Sequence, residues 1–148
     1  MNKWGHNTWI FFHCLAEKLK EDSIHLIPAI LNIYKEICAC LPCPMCRGQA
    51  TKLLKNYRLY NLITTKQALK QFVFEFHNIV NKKTNKPQQP KDILDTYADH
   101  NLYIDTMNWY RTFNINIYNI KLSLDKMNIR HVKQRTYKFL VNNQQHFT

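Results

Sequence analysis

Apolar residues recur along the first half of the chain at the three- and four-residue spacing of helices. This spacing predicts a first helix that is capped by Asn7 or Thr8 and continues to Lys20. A second apolar stripe predicts a helix over 23–41, which Pro42 ends because the residue before a proline disfavours helical geometry. No segment alternates convincingly between apolar and polar residues over the length of a strand. The pattern therefore predicts an all-α fold.

Two further helices are predicted in the middle of the chain. The third begins at Cys43 and continues to about Asn56, because Pro44 suits a first helical position, where its missing N–H is no loss. The fourth begins after Thr65 and continues to Lys83, with an apolar stripe along one face. The cysteine pair next to Pro44 is therefore expected at the start of a helix.

Beyond the fourth helix the pattern becomes weaker. The polar segment 85–90 contains two prolines and predicts a break, which a short helix over Lys91–Asp99 follows. A basic helix is predicted over 122–141. We divide the chain into a domain over 1–100 and a C-terminal extension over 101–148. The extension is too aromatic for a disordered tail, so we expect it to form additional helices that pack on the core or at a dimer interface.

Composition excludes several classes of protein. The 148 residues are 45% hydrophobic, which permits a packed core, and only two glycines are present, which disfavours a glycine-rich phosphate loop. The net charge of +11 favours acidic partners, but the basic residues are spread over separate segments without a base-reading motif. Nucleic acid is therefore expected to be at most a secondary partner.

The sequence also predicts a location. No run of about 18 apolar residues is present, so no membrane span is expected. The few residues before Trp4 leave no room for a signal peptide, so the expected location is the cytoplasm.

The five cysteines lie within the first 46 residues, and four of them form Cys38-x-Cys40-x-x-Cys43-x-x-Cys46. The N-terminus of a helix stabilises a thiolate, so Cys43 and Cys46 suit thiol–disulfide exchange. The same spacing suits half of a zinc site that Cys38 and Cys40, or His77 or His100, complete. In a third interpretation, the cysteines outside the C-x-x-C pair are small buried hydrophobic residues. The spacing alone leaves these alternatives open.

A polar group lies on the predicted fourth helix. His77, Val80 and Asn81 are spaced i, i+3, i+4 and share one face, and Asn78 lies beside them. Polar side chains on an apolar face are costly unless they are hydrogen-bonded. Because lysines follow at positions 82, 83 and 86, a nucleotide ligand is favoured.

Three motifs together carry a resemblance to a known family. They are Trp4-Gly5-x-x-x-Trp9-x-x-x-His13, Cys43-Pro44-Met45-Cys46, and the segment 76–87 around His77. In this order and spacing they resemble the Erv/ALR family of FAD-dependent sulfhydryl oxidases, most of all the short forms of large DNA viruses such as the African swine fever virus group. The resemblance covers residues 4 to 99 and implies a four-helix bundle that holds FAD, with a short fifth helix.

The resemblance also implies roles for individual residues. It implies that Cys46 is the catalytic cysteine next to the flavin and that Cys43 is the distal one. The FAD-binding residues that it implies are Gly5, His6, Trp9, His13, Cys46, His77, Asn78, Val80, Asn81, Lys83, Lys86 and Tyr97. In this set, Gly5 and His6 match a pair whose backbone lies near the flavin. Lys83 and Lys86 lie near the phosphates, and Tyr97 stacks on adenine.

The implied function is a thiol oxidase that makes disulfides in client proteins. Electrons pass from dithiols through Cys43, Cys46 and FAD to O2, which gives hydrogen peroxide. No cysteine follows Cys46, so the expected partners are client dithiols or a separate small dithiol relay protein. A homodimer is expected, in the host cytoplasm or in a virion. The alternative is a small zinc-binding module built from the Cys38–Cys46 cluster.

Overall fold

The computed structural model describes residues 3–55, 61–114 and 123–148, and these residues form helices connected by short turns. The α-helices named in these ranges are α1 Lys3–Lys18, α2 Ile27–Cys38, α3 Pro44–Leu54, α4 Lys66–Lys83, α5 Leu102–Thr112 and α6 Ser123–Asn142. In the same ranges, 3-10 helices cover Glu21–Leu26, Lys91–Asp99 and Gln144–His146. Within the described residues, the only β pairing is one isolated bridge between Leu19 and Phe147. The all-α prediction is confirmed.

Side-chain caps set the starts of α3, α4 and α5. Thr65 accepts a hydrogen bond from the N–H of Ala68 at 3.0 Å, and Asn101 accepts one from the N–H of Ile104 at 3.0 Å. Cys43 occupies the same position before α3. Such caps satisfy N–H groups that have no partner inside the helix. The predicted starts of α3 and α4 are therefore confirmed.

The predicted start of the first helix is wrong. The helix begins at Lys3, and Thr8 lies inside it, where its hydroxyl donates to the Trp4 carbonyl at 2.6 Å. Trp4 contacts the ring of Phe113 edge-on, with a centroid distance of 6.4 Å. This long-range contact stabilises an additional turn, which the cap signal at Asn7 and Thr8 does not predict.

The predicted helix over 23–41 is also too long. Its first part is the Glu21–Leu26 3-10 helix, in which Ser23 has a non-helical φ of −113°. The α-helix begins at Ile27 because Pro28 suits the first turn, and it ends at Cys38 before a turn. The predicted end of the third helix at Asn56 and the predicted start of the last helix at 122 lie outside the described residues.

One hydrophobic core joins both parts of the sequence. Helix α1 packs against α4 and α5, and α2 packs against α3 and α6. Phe11 of α1 stacks on Trp109 of α5 at a centroid distance of 4.9 Å, and both side chains are fully buried. From the extension, the core contains Trp109, Phe113, Ile129, Val132 and Phe147. The boundary at residue 100 stays a prediction, but the core continues across it.

None of the described helices combines the length and the apolar composition that crossing a membrane requires.

Candidate active site

The cysteine pair lies at the turn that leads from α2 into α3. Cys43 and Cys46 are joined by a disulfide, with a Cα–Cα distance of 5.2 Å. The N–H of Cys46 donates to Cys43 Sγ at 3.3 Å, and the N–H of Arg47 donates to the Cys43 carbonyl at 3.0 Å. Met45, between the cysteines, is 72% exposed, whereas Cys46 packs against the core. The pair therefore connects the surface with the interior.

The other cysteines are free and buried. Burial raises the pKa of Cys14 and of Cys38 far above the ordinary range of a thiol. Burial also raises the pKa of Cys40 to about 12, although Arg135 and Arg47 act in the opposite direction. Because the thiolate is the reactive form, these cysteines are poor nucleophiles. The disulfide is therefore the better candidate for thiol–disulfide exchange.

The structure does not support the zinc alternative. A cysteine binds zinc only as a free thiolate, but two of the four clustered sulfurs are bonded to each other in the Cys43–Cys46 disulfide. Within 3–55, 61–114 and 123–148, no three His, Cys, Asp or Glu side chains are grouped so that they could hold a metal ion.

Four of the predicted FAD-binding side chains form a ring cluster, defined as Trp9, His13, His77 and Tyr97. Trp9 stacks on His77 with a centroid distance of 4.1 Å and an interplanar angle of 10°. His13 stacks on Tyr97 with a centroid distance of 4.7 Å and the same interplanar angle. His13 Nε2 lies 3.0 Å from His77 Nδ1, so one ring donates a hydrogen bond to the other. The cluster connects α1, α4 and the Lys91–Asp99 helix.

Both histidines of the ring cluster are held neutral. Burial, with a further contribution from His77, lowers the pKa of His13 to about 3. Burial, followed by electrostatic contributions from Lys86 and His6, lowers the pKa of His77 to about 4. His13 Nδ1 is buried and has no hydrogen-bond partner. A buried polar atom without a partner is costly, and a bound polar group relieves that cost.

Asn78 and Asn81 hold the turn that follows α4. The Asn78 amide donates to the Gln89 carbonyl at 3.0 Å and accepts from the Gln89 N–H at 2.8 Å. The Asn81 side-chain amide donates to the Pro87 carbonyl at 3.1 Å, and the backbone carbonyl of Asn81 accepts from the N–H of Lys86 at 2.8 Å. These bonds fix Lys86 close to the ring cluster. The two asparagines therefore act through the backbone of this segment.

The remaining predicted residues lie around the ring cluster or on the surface. Gly5 is half-buried and His6 is exposed on the first turns of α1, and Val80 packs against the core. Lys83 and Lys86 are both exposed, and Lys86 acts on the pKa of His77. The structure thus brings together Trp9, His13, His77 and Tyr97, with His6 and Lys86 nearby.

Sequence reasoning missed the aromatic and acidic neighbours of the ring cluster. Phe76 contacts Trp9 edge-on at a centroid distance of 5.3 Å. Asp105, from the extension, lies 2.7 Å from His100 Nδ1 and also hydrogen bonds to Cys14. The sequence placed Phe76 on the apolar stripe of α4 but did not predict its contact with Trp9. No local signal connects Asp105 with these partners, because α5 itself was not predicted.

Sequence reasoning also missed two ion pairs that join α6 to α3 and to α2. Arg47 Nη1 lies 3.0 Å from Asp125 Oδ1, and Arg135 Nε lies 3.3 Å from Glu36 Oε2. Each pair joins residues far apart in the sequence, so spacing gave no sign of either.

Comparison with known proteins identifies the class to which this arrangement belongs. The sequence model of the Erv1/Alr family matches residues 6–101, a segment that contains the disulfide and the ring cluster. The chain therefore belongs to the Erv1/Alr family.

Two viral proteins are similar to the chain. The "Putative FAD-linked sulfhydryl oxidase 347L" of Invertebrate iridescent virus 6 is 29% identical over 99 residues, which are 61% of this chain and 86% of that protein. The "Putative FAD-linked sulfhydryl oxidase 096R" of Invertebrate iridescent virus 3 is 30% identical over 86 residues, which are 57% of this chain and 58% of that protein. No solved structure matches the chain.

Proposed function

We propose that the chain is a FAD-linked sulfhydryl oxidase that makes disulfide bonds in client proteins. The observation that carries the proposal is the Cys43–Cys46 disulfide at the start of α3, beside the exposed Met45 and inside the segment that matches the family. A buried structural disulfide does not need this position. A disulfide that exchanges with substrate needs one accessible sulfur and one that faces the interior.

In this proposal the two sulfurs have different roles, which is supported by the packing of Cys46 against the core. A substrate thiolate attacks Cys43 Sγ, the disulfide bond breaks, and Cys46 leaves as a thiolate on the side of the core. The second substrate thiol then attacks the mixed disulfide, which releases oxidised substrate and the Cys43 thiolate. The Cys46 N–H donates to Cys43 Sγ, and together with the N-terminal end of α3 it stabilises the negative charge on that sulfur.

The residues of the ring cluster fit FAD. The stacked rings of the cluster present flat surfaces, and the buried Nδ1 of His13 needs a polar partner. Trp9, His13, His77 and Tyr97 would hold the rings of FAD, and Lys83 and Lys86 would face its phosphates. The chemistry that a bound FAD would supply is the transfer of two electrons from the Cys43 and Cys46 thiols to O2, which with their two protons would give hydrogen peroxide. The chain positions Cys46, keeps both histidines neutral and holds Lys86 in place.

The partners and the location are also part of the proposal. The substrate is a dithiol, either in a client protein or in a separate small relay protein. We keep the homodimer as a prediction based on the family resemblance, and the molecular mass in solution tests it. The host cytoplasm or a virion is the proposed location, and the three free thiols suit a reducing compartment. Cell fractionation, with detection in purified virions, tests the location.

Spectra and oxygen uptake test the oxidase function. The purified protein should be yellow, contain non-covalent FAD, and consume O2 when dithiothreitol is added. Cys43→Ser leaves Cys46 as a free thiolate beside the flavin, so turnover should fall by at least about a thousandfold while a long-wavelength charge-transfer band appears. Cys46→Ser should abolish turnover without such a band.

The matched control is Cys38→Ala, which removes a buried thiol outside the pair and should keep most of the turnover. A band in Cys46→Ser but not in Cys43→Ser would mean that the two roles are reversed. Full oxygen uptake in both serine variants would show that the pair is not the active site.

A further inference from the structure

The last helix, α6, attaches to both helices that meet at the disulfide. On α3, Arg47 Nη1 lies 3.0 Å from Asp125 Oδ1 of α6. On α2, Glu36 Oε2 accepts from Arg135 Nε of α6 at 3.3 Å. Since Arg47 directly follows Cys46 in the sequence, α6 places the carboxylate of Asp125 against the residue next to the redox pair.

The position of Arg47 relative to the disulfide is fixed. Its N–H donates to the Cys43 carbonyl at 3.0 Å, so Arg47 belongs to the turn that Cys43 caps. The side chains of Arg47 and Asp125 are 23% and 24% exposed, whereas those of Arg135 and Glu36 are 57% and 34% exposed. Water and salt therefore screen the Arg47–Asp125 pair less than the other pair.

The charges around the turn are balanced. Burial has the largest effect on the pKa of the neighbouring Cys40 and raises it. Among the charged groups, Arg135 and Arg47 lower this pKa, whereas Glu36 and Asp125 raise it. Each arginine is thus offset by a carboxylate. Asp125 is the only acidic residue of α6, in a chain with a net charge of +11. Without Asp125, the guanidinium charge of Arg47 would lose the carboxylate that offsets it.

We propose that Asp125 is a positioning residue that makes the Cys43–Cys46 disulfide a weaker oxidant by pairing with Arg47, an inference that rests on the proposed oxidase function. A free arginine beside a C-x-x-C pair stabilises thiolate and therefore the reduced state, which makes the disulfide more oxidising. Pairing offsets the guanidinium charge and holds it toward α6, so less of its field reaches the two sulfurs. A carboxylate of the extension thereby sets how readily dithiols reduce the disulfide.

Equilibration of the full-length protein with glutathione under argon tests this role. Two glutathione thiols reduce the disulfide to the Cys43 and Cys46 thiols and form one glutathione disulfide, and alkylation with mass measurement gives the reduced fraction. Asp125→Asn should raise the equilibrium constant for reduction about threefold to tenfold, where tenfold corresponds to about 30 mV. An unchanged or lower constant would overturn the proposal.

Two further variants complete the test. Glu21→Gln makes the same change in net charge at an exposed residue of another segment and should leave the constant within about twofold. Arg47→Gln leaves Asp125 unpaired and should lower the constant at least about threefold. If Asp125→Asn does not fold, the Arg47→Gln variant alone tests the proposal. An equilibrium constant for reduction that rises or stays unchanged in Arg47→Gln would then overturn it.

The oxidase function is tested separately by oxygen uptake of the unmodified protein. A protein that consumes no O2 with dithiothreitol contradicts the oxidase function, whatever the glutathione equilibrium shows. A protein that consumes O2 but shows no shift in Asp125→Asn keeps the function and contradicts the role of Asp125.

Discussion

Residues 3–100 and the extension contribute to the molecule in different ways. The first part carries the disulfide and the ring cluster, with neutral histidines and asparagines that bind the backbone. The extension carries none of the predicted site residues, but it adds the fully buried Trp109 and Phe113 to the same core. The candidate site thus lies in one part, while the packing that supports it comes from both. The four predictions below test this division, from the largest expected effect to the smallest.

Removing the extension after His100 should have the largest effect on stability. The truncation exposes the face of α1 around Phe11 and deletes the buried side chains of Trp109, Phe113, Ile129 and Val132. Because each large buried side chain contributes about 1.5–3 kcal/mol, the free energy of unfolding should fall by at least about 5 kcal/mol, which approaches the whole stability of a domain. Urea denaturation followed by circular dichroism measures it. An unchanged midpoint would show that residues 3–100 fold independently.

Trp109→Ala should reproduce a large part of that loss with one substitution. Its indole is fully buried and stacks on Phe11, so its removal leaves a cavity and should cost about 3–5 kcal/mol. The glutathione equilibrium of the folded variant should stay close to that of the unmodified protein, because the disulfide lies elsewhere. Tyr103→Ala, at a 69% exposed residue of the same helix, is the control and should cost less than about 0.5 kcal/mol. Equal losses in both variants would contradict the packing role.

The free energy of unfolding should fall as the pH is lowered, because of the ring cluster. The pKa of His13 falls from 6.5 to about 3 and that of His77 from 6.5 to about 4 on folding. Below pH 6.5 the unfolded chain binds these protons first, so this stability is fully present above that pH and is lost as the pH falls toward about 4 for His77 and about 3 for His13. Each histidine contributes a slope of at most about 1.4 kcal/mol per pH unit.

Urea denaturation at several pH values measures this slope. His13→Phe should make it distinctly shallower, whereas Asn128→Ala, on the exposed side of α6, should not change it. An equal slope with and without His13 would contradict the prediction that His13 contributes to the pH dependence of stability.

The two cap residues give a matched comparison with the smallest effect. Thr65 caps α4 in the first part and Asn101 caps α5 in the extension, each through one hydrogen bond of 3.0 Å. Replacement by alanine should cost about 1 kcal/mol at either position. Thermal unfolding of the two variants measures both values. A cost at Thr65 without one at Asn101 would mean that packing alone determines where α5 begins.

The sequence predicted the helices whose signals are local. The start of α3 follows from Cys43 and Pro44, and the start of α4 follows from Thr65, because a cap and its partner lie three residues apart. The sequence-based prediction failed where a contact between residues far apart in the chain determines where a helix forms. Helix α1 begins at Lys3 with Trp4 against Phe113, and the weak pattern after Asn101 concealed α5, whose position depends on Phe11 of α1.

The candidate site also combines features that the local sequence predicted with features that only the tertiary structure shows. The C-x-x-C spacing and the polar positions on α4 pointed to a disulfide pair and a nucleotide, but their spacing alone also allowed zinc or simple burial. The stacking of Trp9 on His77 joins residues of two helices, and the lowered pKa of each histidine arises from burial. Neither is a property of a short segment.

By itself, the sequence determined the local features of this protein: the helical spacing, the caps, the cysteine spacing and the excess of positive charge. These depend on residues a few positions apart, or on simple counts. Only the tertiary structure decided which thiols are buried, which rings stack, and that Asp125 lies against Arg47. Such properties depend on which surfaces are removed from water together, because burial and the distance between charges set pKa values and redox balance.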